Sequence, residues 1–311
     1  MPATQSRDED KPTKAAPDGA GRCYFRASVM YDCARNASAA RTPEEHGVLR
    51  SSSSIMLPRI QAALRRLEAT HGIRILYACE SGSRAWGFPS PDSDYDVRFI
   101  YCHPPAWYLT LDEGPDTSNF PVDDELDLAG WELRKALRLL RGSNASVFEW
   151  LQSPIVYHEA LDFRARLVPL LPAAFNLKAG LHHYLGQLRR GVEEDLLTEE
   201  VRLKRLFYAL RAALAARWIR ARHQVPPMQF APLRALLPAA LEMEVAALLA
   251  AKASANEKTT VPRPAALSEF LREELAAGQA ARDGLPVLRG SGAPGALDAL
   301  FRALLAEAGA A

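Results

Sequence analysis

The chain has 311 residues, of which 48% are hydrophobic and 24% are charged, and these are the proportions of a globular protein. They exclude wholesale disorder and a fibrous repeat, and the length suits two domains better than one. The 38 basic and 37 acidic residues leave a net charge of +1, which argues against a dedicated DNA-coating protein.

The first 55 residues mix charged residues with Ser, Ala and Pro and follow neither a helical nor a strand pattern. Such a segment buries too little apolar surface to offset the entropy of ordering it, so we expect a disordered tail over residues 1–55. Neither an apolar secretion signal nor a membrane-spanning run is expected, which predicts a cytoplasmic protein with no membrane partner. The periodic pattern starts at Met56, and a further expectation is that translation begins there.

Residues 56–153 alternate between helical and strand patterns. Apolar residues at helical spacing after Pro58 predict a first helix, which His71-Gly72 closes. The later elements predicted in this part are a buried strand over 73–79, a turn and short helix over 82–88, strands over 95–101 and 125–128, and a helix over 131–141. Together they predict a small mixed sheet flanked by helices.

Residues 154–311 are rich in Leu and Ala at helical spacing, with Pro226-Pro227 and a Gly/Pro stretch as interruptions. They predict an all-helical part. The chain is therefore expected to have an α+β fold, in which a small sheet domain over 56–153 precedes a helical domain over 154–311.

Charge is distributed unevenly between these two parts. Residues 112–132 contain eight acidic and no basic residues, whereas residues 201–225 contain seven Lys or Arg and no acidic residue. An acidic sheet facing a basic helix would suit a metal ion and a polyphosphate. Charge runs alone usually form solvated faces, so this pattern is only supporting evidence.

The chemistry of the sequence is concentrated in residues 80–98. Gly82 and Ser83 follow a predicted strand and open a short helix, where glycine permits close backbone approach and free N–H groups favour phosphate. Asp94 and Asp96 are two residues apart on a predicted strand, so their side chains share a face with Cα atoms about 7 Å apart. Two carboxylates that close repel each other unless a cation lies between them, and Mg²⁺ prefers such oxygen ligands.

Gly82-Ser83, a spacer of ten residues and Asp94-x-Asp96 resemble the signature of the DNA polymerase β-like nucleotidyltransferase superfamily. More narrowly, residues 82–88, 92–101 and 130–137 resemble the bacterial YcgL/RlaP family of predicted nucleotidyltransferases, some of them associated with RNA repair. The resemblance covers about residues 57–240. Ser81 stands where the superfamily has an apolar residue.

The superfamily resemblance implies that two Mg²⁺ ions and an NTP are bound. Asp94 and Asp96 would bind both ions, while Gly82 and Ser83 would hold the β- and γ-phosphates. A third carboxylate on a neighbouring strand would bind the catalytic ion and help to deprotonate the acceptor. Asp127, between Leu126 and Leu128, matches this position best, and Glu125 is the alternative candidate.

Several basic and aromatic residues are further candidates. Arg84 could contact a phosphate or pair with Asp92 or Glu80, and Arg98 and Glu80 are expected to form surface salt bridges. The residues Lys204, Tyr208 and Arg211 form a stripe on one predicted helix. In related nucleotidyltransferases such a helix contacts the triphosphate, and the alternative is a solvated amphipathic helix.

The function expected from these residues is metal-dependent transfer of a nucleoside monophosphate from an NTP to an acceptor hydroxyl, with release of pyrophosphate. RNA is one candidate acceptor. The alternatives are a transferase of the same superfamily that modifies a small molecule or a protein, a nucleotide-binding protein without activity, and an RNA-binding module that uses the basic helix over 201–225.

Overall fold

The computed structural model describes residues 46–121, 125–286 and 294–310. The chain divides into two compact units, Met1–Ser52 and Ser53–Ala311. Residues 1–45 of the predicted tail lie outside the described residues. The first described helix begins at His46, so it includes ten residues that we assigned to the tail from the sequence.

The described residues form helices and strands that alternate in the first half and are mainly helical in the second. The helices are α1 (His46–His71), α2 (Gly82–Trp86), α3 (Leu133–Arg141), α4 (Ala145–Leu151), α5 (Phe163–Leu167), α6 (Leu171–Ala174), α7 (Leu177–Arg190), α8 (Leu203–Arg222), α9 (Phe230–Leu233), α10 (Ala239–Ser254), α11 (Ala265–Ala281) and α12 (Pro294–Ala310). The strands are β1 (Arg74–Glu80), β2 (Tyr95–Cys102), β3 (Thr117–Pro121), β4 (Leu126–Glu132), β5 (Val156–Glu159), β6 (Glu200–Arg202) and β7 (Thr260–Pro262).

Five strands form one mixed sheet in the order β3-β4-β2-β1-β5, and β6 and β7 form a separate pair. Within the five-stranded sheet, β2 and β4 are parallel and the other neighbours are antiparallel. The parallel register places Asp96 directly beside Asp127 and Val97 beside Leu128. Since paired residues of parallel strands share a face, the two aspartates lie on the same side of the sheet.

The opposite face of β2 and β4 is apolar and packs against α1. Ile60 and Leu64 of α1 are buried in one cluster with Val97, Phe99 and Leu128 of the sheet. Side chains alternate between the faces of a strand, so this packing directs the intervening residues of β2 and β4 to the other side. The apolar pattern of the strands therefore determines where the two aspartates point.

The α+β fold that the sequence predicts is confirmed. Four strands were not predicted: β3, and the strands β5, β6 and β7 in the part predicted to be all-helical. Of these, β5 pairs with β1 as an edge strand of the sheet. The division into domains at residues 153 and 154 stays a prediction, and β5 lies beyond that boundary. Among the described residues, no helix is both long and apolar enough to span a membrane.

Packing of α1 on the sheet should be a main source of stability. Leu64→Ala removes a buried side chain and leaves a cavity, so we expect the free energy of unfolding to fall by about 2–5 kcal/mol in denaturant titrations. Arg65→Ala, at the next and exposed position of the same helix, should change it by less than about 0.5 kcal/mol. Equal losses in both variants would contradict the assignment of this stability to packing of α1 on the sheet.

Candidate active site

Asp96 and Asp127 share one cationic group. The Nη2 atom of Arg98 lies 3.0 Å from Oδ1 of Asp96 and 2.8 Å from Oδ2 of Asp127. Arg98 is two residues after Asp96 on β2, so its side chain is on the same face. The sequence predicted a surface salt bridge for Arg98, whereas the structure pairs this residue, which is largely buried, with two of the predicted metal ligands. Its guanidinium lies between two carboxylates that would otherwise repel each other.

Gly82 lies directly against Asp96. A Cβ atom at residue 82 would overlap Oδ2 of Asp96, and Gly82 has a φ of +62°. Both features require glycine, because a side chain would clash and because this φ favours residues without a Cβ. The turn between β1 and α2 thus brings its backbone against the carboxylate at the start of β2.

Asp94 does not join this pair in the way that the sequence suggested. It is exposed and precedes the strand, which begins at Tyr95. Partial desolvation of its carboxylate raises the pKa of Asp94, and the negative charge of Glu257 adds to this shift. Within the described parts of the chain, no three His, Cys, Asp or Glu side chains come close enough together to hold a metal ion. The structure brings together two of the three predicted metal ligands.

The residues present nevertheless suit a cation. Asp96 and Asp127 direct their oxygens at a single positively charged nitrogen, so the two carboxylates already converge on one cation. Burial raises the pKa of Asp96, the Arg98 charge lowers it, and the Asp127 charge raises it. Hard carboxylate oxygens are the ligands that Mg²⁺ prefers.

Ser83 and Arg84 are both directed at the loop before β2. The Ser83 hydroxyl is buried and donates to Oγ of Ser93 at 3.1 Å. The Arg84 guanidinium donates to the Ser93 and Asp94 carbonyl oxygens and stacks on the Tyr95 ring at 3.8 Å. Arg84 therefore holds the loop through the backbone carbonyls of Ser93 and Asp94.

Lys204 and Tyr208, two residues of the stripe on the predicted basic helix, lie near acidic residues. Nζ of Lys204 donates to Oε2 of Glu257 at 2.5 Å. Tyr208 packs edge-on against Trp86 of α2, with ring centroids 4.9 Å apart. Burial raises the pKa of Tyr208, and the negative charges of Asp96 and Glu257 raise it further. These two residues of α8 thus face the start of β2.

Arg211, the third residue of this stripe, lies in the protein interior. It is 1% exposed, its Nη2 lies 2.9 Å from a Glu149 oxygen, and its Nε donates to the Met228 carbonyl. Its guanidinium also lies 4.3 Å from the Trp86 ring centroid. A buried arginine with these partners links α8 to α4 and to the segment before α9.

Glu80 is a residue of the site whose environment was misjudged from the sequence. We expected it in a surface salt bridge, and this was wrong, because Glu80 is fully buried. Its Oε1 accepts a hydrogen bond from the Asp96 amide at 2.9 Å, and its Oε2 accepts one from the Tyr157 hydroxyl. Burial raises the pKa of Glu80 to about 7, although both hydrogen bonds oppose this shift. Its position at the end of a buried strand was the signal for burial.

Glu257 is a second residue that the sequence did not reveal. It accepts hydrogen bonds from the Ser93 hydroxyl at 3.0 Å and from Lys204. The β6–β7 pair explains this position, because Lys204 follows β6 and Glu257 precedes β7. Nothing in the sequence around Glu257 signals a contact with residues more than 150 positions earlier.

Comparison with known proteins gives one family and one curated relative. A model of the RNA repair pathway DNA polymerase beta family, RlaP, matches residues 56–303. The uncharacterized protein YcgL of Bacillus subtilis (strain 168) is 43% identical over 222 residues, which are 71% of this chain and 85% of that protein. The stretch matched by the family model includes Gly82, Asp96 and Asp127 and extends beyond Glu257.

The raised pKa of Glu80 should make stability depend on pH. Its pKa is about 7 in the folded protein and near 4.5 in the unfolded chain. Between these values the folded state holds a proton that the unfolded state releases, so the free energy of unfolding should fall as pH rises from about 5 to 7. We expect a difference on the order of 3 kcal/mol in denaturant titrations with chelator present. In Glu80→Gln this part of the pH dependence should be absent, and a variant that retains it would contradict the assignment.

The contact between Gly82 and Asp96 should not tolerate a methyl group. Gly82→Ala must displace the Asp96 carboxylate and strain a positive φ, so we expect a loss of more than about 1 kcal/mol in the free energy of unfolding. Gly87→Ala is a useful control, because Gly87 also has a positive φ but a Cβ there meets nothing within 4 Å. A similar loss in both variants would show that backbone strain alone, and not the Asp96 contact, requires glycine at residue 82.

Proposed function

Since the chain belongs to the RNA repair pathway DNA polymerase beta family, we propose that it is a metal-dependent nucleotidyltransferase that acts on RNA. It transfers a nucleoside monophosphate from an NTP to an RNA hydroxyl group and releases pyrophosphate. The family supports the nucleotidyltransferase class and the link to RNA repair. The metal dependence and the RNA hydroxyl as acceptor are the specific parts of the proposal.

The observation that carries the proposal is the convergence of Asp96 and Asp127 on one cationic nitrogen, beside the backbone of Gly82. A divalent cation held by two carboxylates next to a glycine turn has room for substrate phosphates as further ligands. Asp94 lies two residues before Asp96, at the end of the loop that precedes β2, and is exposed, so it is available to complete the ligand set.

Each residue has a defined role in this proposal. Asp96 and Asp127, joined by Asp94, would hold divalent cations, which neutralise phosphate charge and activate a hydroxyl when they are bound. Gly82 and Ser83 would hold the β- and γ-phosphates, and Lys204 would balance their charge.

The transfer itself breaks one phosphorus–oxygen bond and forms another. The acceptor oxygen attacks the α-phosphorus, and pyrophosphate leaves with the electron pair of the bond that breaks. Asp127 would accept the proton of the acceptor hydroxyl. Positioning and charge neutralisation supply most of the catalysis in such a reaction.

The basic helix α8 does not favour the alternative of an RNA-binding module. Most of its basic residues have carboxylate partners within the protein. These pairs are Lys204 with Glu257, Arg205 with Asp195, Arg211 with Glu149, and Arg217 and Arg220 with Glu274. Arginines that are already paired contribute less to phosphate binding, because each new contact must replace an existing one.

Replacement of either central aspartate should abolish transfer. We expect Asp96→Asn and Asp127→Asn to reduce the rate by more than about a hundredfold, because loss of residues that only support metal ligands already costs about 10–100-fold. The assay follows label from each α-³²P-labelled NTP into RNA, with Mg²⁺ present and with chelator. Asp112→Asn is the matched control, since Asp112 is an exposed aspartate outside the site.

The assay separates the parts of the proposal. Full activity in both aspartate variants would reject the assigned site, and activity in chelator would reject the metal dependence. Label that appears in protein or in a small molecule, and not in RNA, would reject RNA as the acceptor.

A further inference from the structure

We propose that Ser93 and Lys204 bind the terminal phosphates of the NTP, and that the Glu257 carboxylate occupies this phosphate subsite in the ligand-free protein. Glu257 would then be an internal competitor that the incoming triphosphate displaces. This inference rests on the proposed function for the identity of the ligand. It adds Ser93 as a phosphate-binding residue and Glu257 as the group that controls access.

The hydrogen bonds of Glu257 support this assignment. Its Oε1 accepts from the Ser93 hydroxyl, which in turn accepts from Ser83, and its Oε2 accepts from Nζ of Lys204. Hydroxyl and ammonium donors around an oxyanion are what a phosphate needs. The Glu257 carboxylate therefore accepts hydrogen bonds both from the loop before β2, through Ser93, and from α8, through Lys204.

The backbone around Glu257 is attached to the same loop. The Glu257 amide donates to both carboxylate oxygens of Asp92, at 3.0 and 3.1 Å. Five residues earlier, the buried Lys252 donates from Nζ to Oγ of Ser90 at 2.8 Å. The end of α10 and the turn that follows it are thus both attached to residues 90–93, and we call this turn the Glu257 turn (residues 255–259).

The Lys204 ion pair holds the Glu257 turn, whereas the neighbouring carboxylate of Asp94 repels the Glu257 carboxylate. The carboxylate of Glu257 lies close enough to Asp94 to raise the pKa of Asp94, and its amide contacts the Asp92 carboxylate. The positive groups facing it are Lys204 and Lys252, and burial lowers the pKa of Lys252. Three carboxylates therefore lie beside two lysines. A polyphosphate can displace Glu257 from Lys204, because the polyphosphate offers this lysine more negative charge than one carboxylate does.

Competition by Glu257 has a measurable consequence for affinity. A ligand that binds only when the subsite is free has its apparent dissociation constant raised by the inverse of the free fraction. If the subsite is free about 10–20% of the time, release of Glu257 tightens binding by about five- to tenfold. A residue that merely positioned Lys204 for the phosphate would have the opposite effect, since its loss would weaken binding.

The test is a calorimetric titration of inorganic tripolyphosphate into the full chain with chelator present. We expect Glu257→Gln and Glu257→Asp to bind about five- to tenfold more tightly than the unmodified protein. Aspartate keeps the negative charge but is too short to reach both Ser93 and Lys204. Glu257→Asp therefore shows whether tighter binding comes from freeing the subsite or only from removing a negative charge. Ser93→Ala should bind more weakly. Glu242 lies on α10 and is paired with Arg234, away from the subsite. Glu242→Gln should therefore bind tripolyphosphate as tightly as the unmodified protein does.

Unchanged or weaker binding in both Glu257 variants would overturn the proposal. Tighter binding in Glu257→Gln alone would also overturn it, because charge and not occupancy would then be the cause. A second measurement needs no variant: hydrogen exchange of amides in the Glu257 turn should become faster when tripolyphosphate binds, and protection that stays the same would contradict displacement.

Tripolyphosphate carries no nucleoside, so this titration reports on the phosphate subsite alone. If the titration succeeds and no nucleotide is transferred to RNA, the proposed function fails and the subsite stands. If transfer occurs and the Glu257 variants bind no more tightly, the displacement of Glu257 fails and the proposed function stands.

Discussion

Repulsion between the carboxylates of Asp96 and Asp127 is the constraint on which the rest of the site depends. Their positions are fixed by the parallel register of β2 and β4 and by the apolar face that packs on α1. Arg98 offsets the repulsion from two residues away. Glycine is required at residue 82 because Asp96 leaves no room for a side chain. The buried Glu80 holds the backbone of Asp96 by accepting a hydrogen bond from its amide.

Most of the polar groups around this pair are satisfied by the protein itself. Ser83 donates to Ser93, Lys204 is paired with Glu257, and Arg84 donates to loop carbonyls. Binding of a ligand here is therefore an exchange of partners and not the filling of an open cradle. In such an exchange the net free energy is a small difference between large terms, so substrate contacts and internal contacts have to be considered together.

The sequence predicted the short-range features of this arrangement. The first helix, the first two strands and the candidacy of Gly82 and Asp96 follow from period and spacing, whereas Asp127 was selected through the superfamily resemblance. The sequence did not predict that β5 completes the sheet, because four residues carry too little periodicity to separate a strand from the surrounding helices. The contacts of Glu257 and of the buried Arg211 depend on residues far apart in the chain. Asp94 was placed on the strand, but the strand begins one residue later.

The late position of β5 in the chain affects how the protein folds during synthesis. β1 lies inside the sheet, and β5 covers its outer edge. Until residue 159 has left the ribosome, the backbone donors and acceptors along that edge have no strand to pair with. The acidic pair on β2 and β4 is complete earlier, by residue 127. Nascent chains would thus contain both aspartates before they can close the sheet that supports them, and during that interval the open edge of β1 is exposed to misassociation.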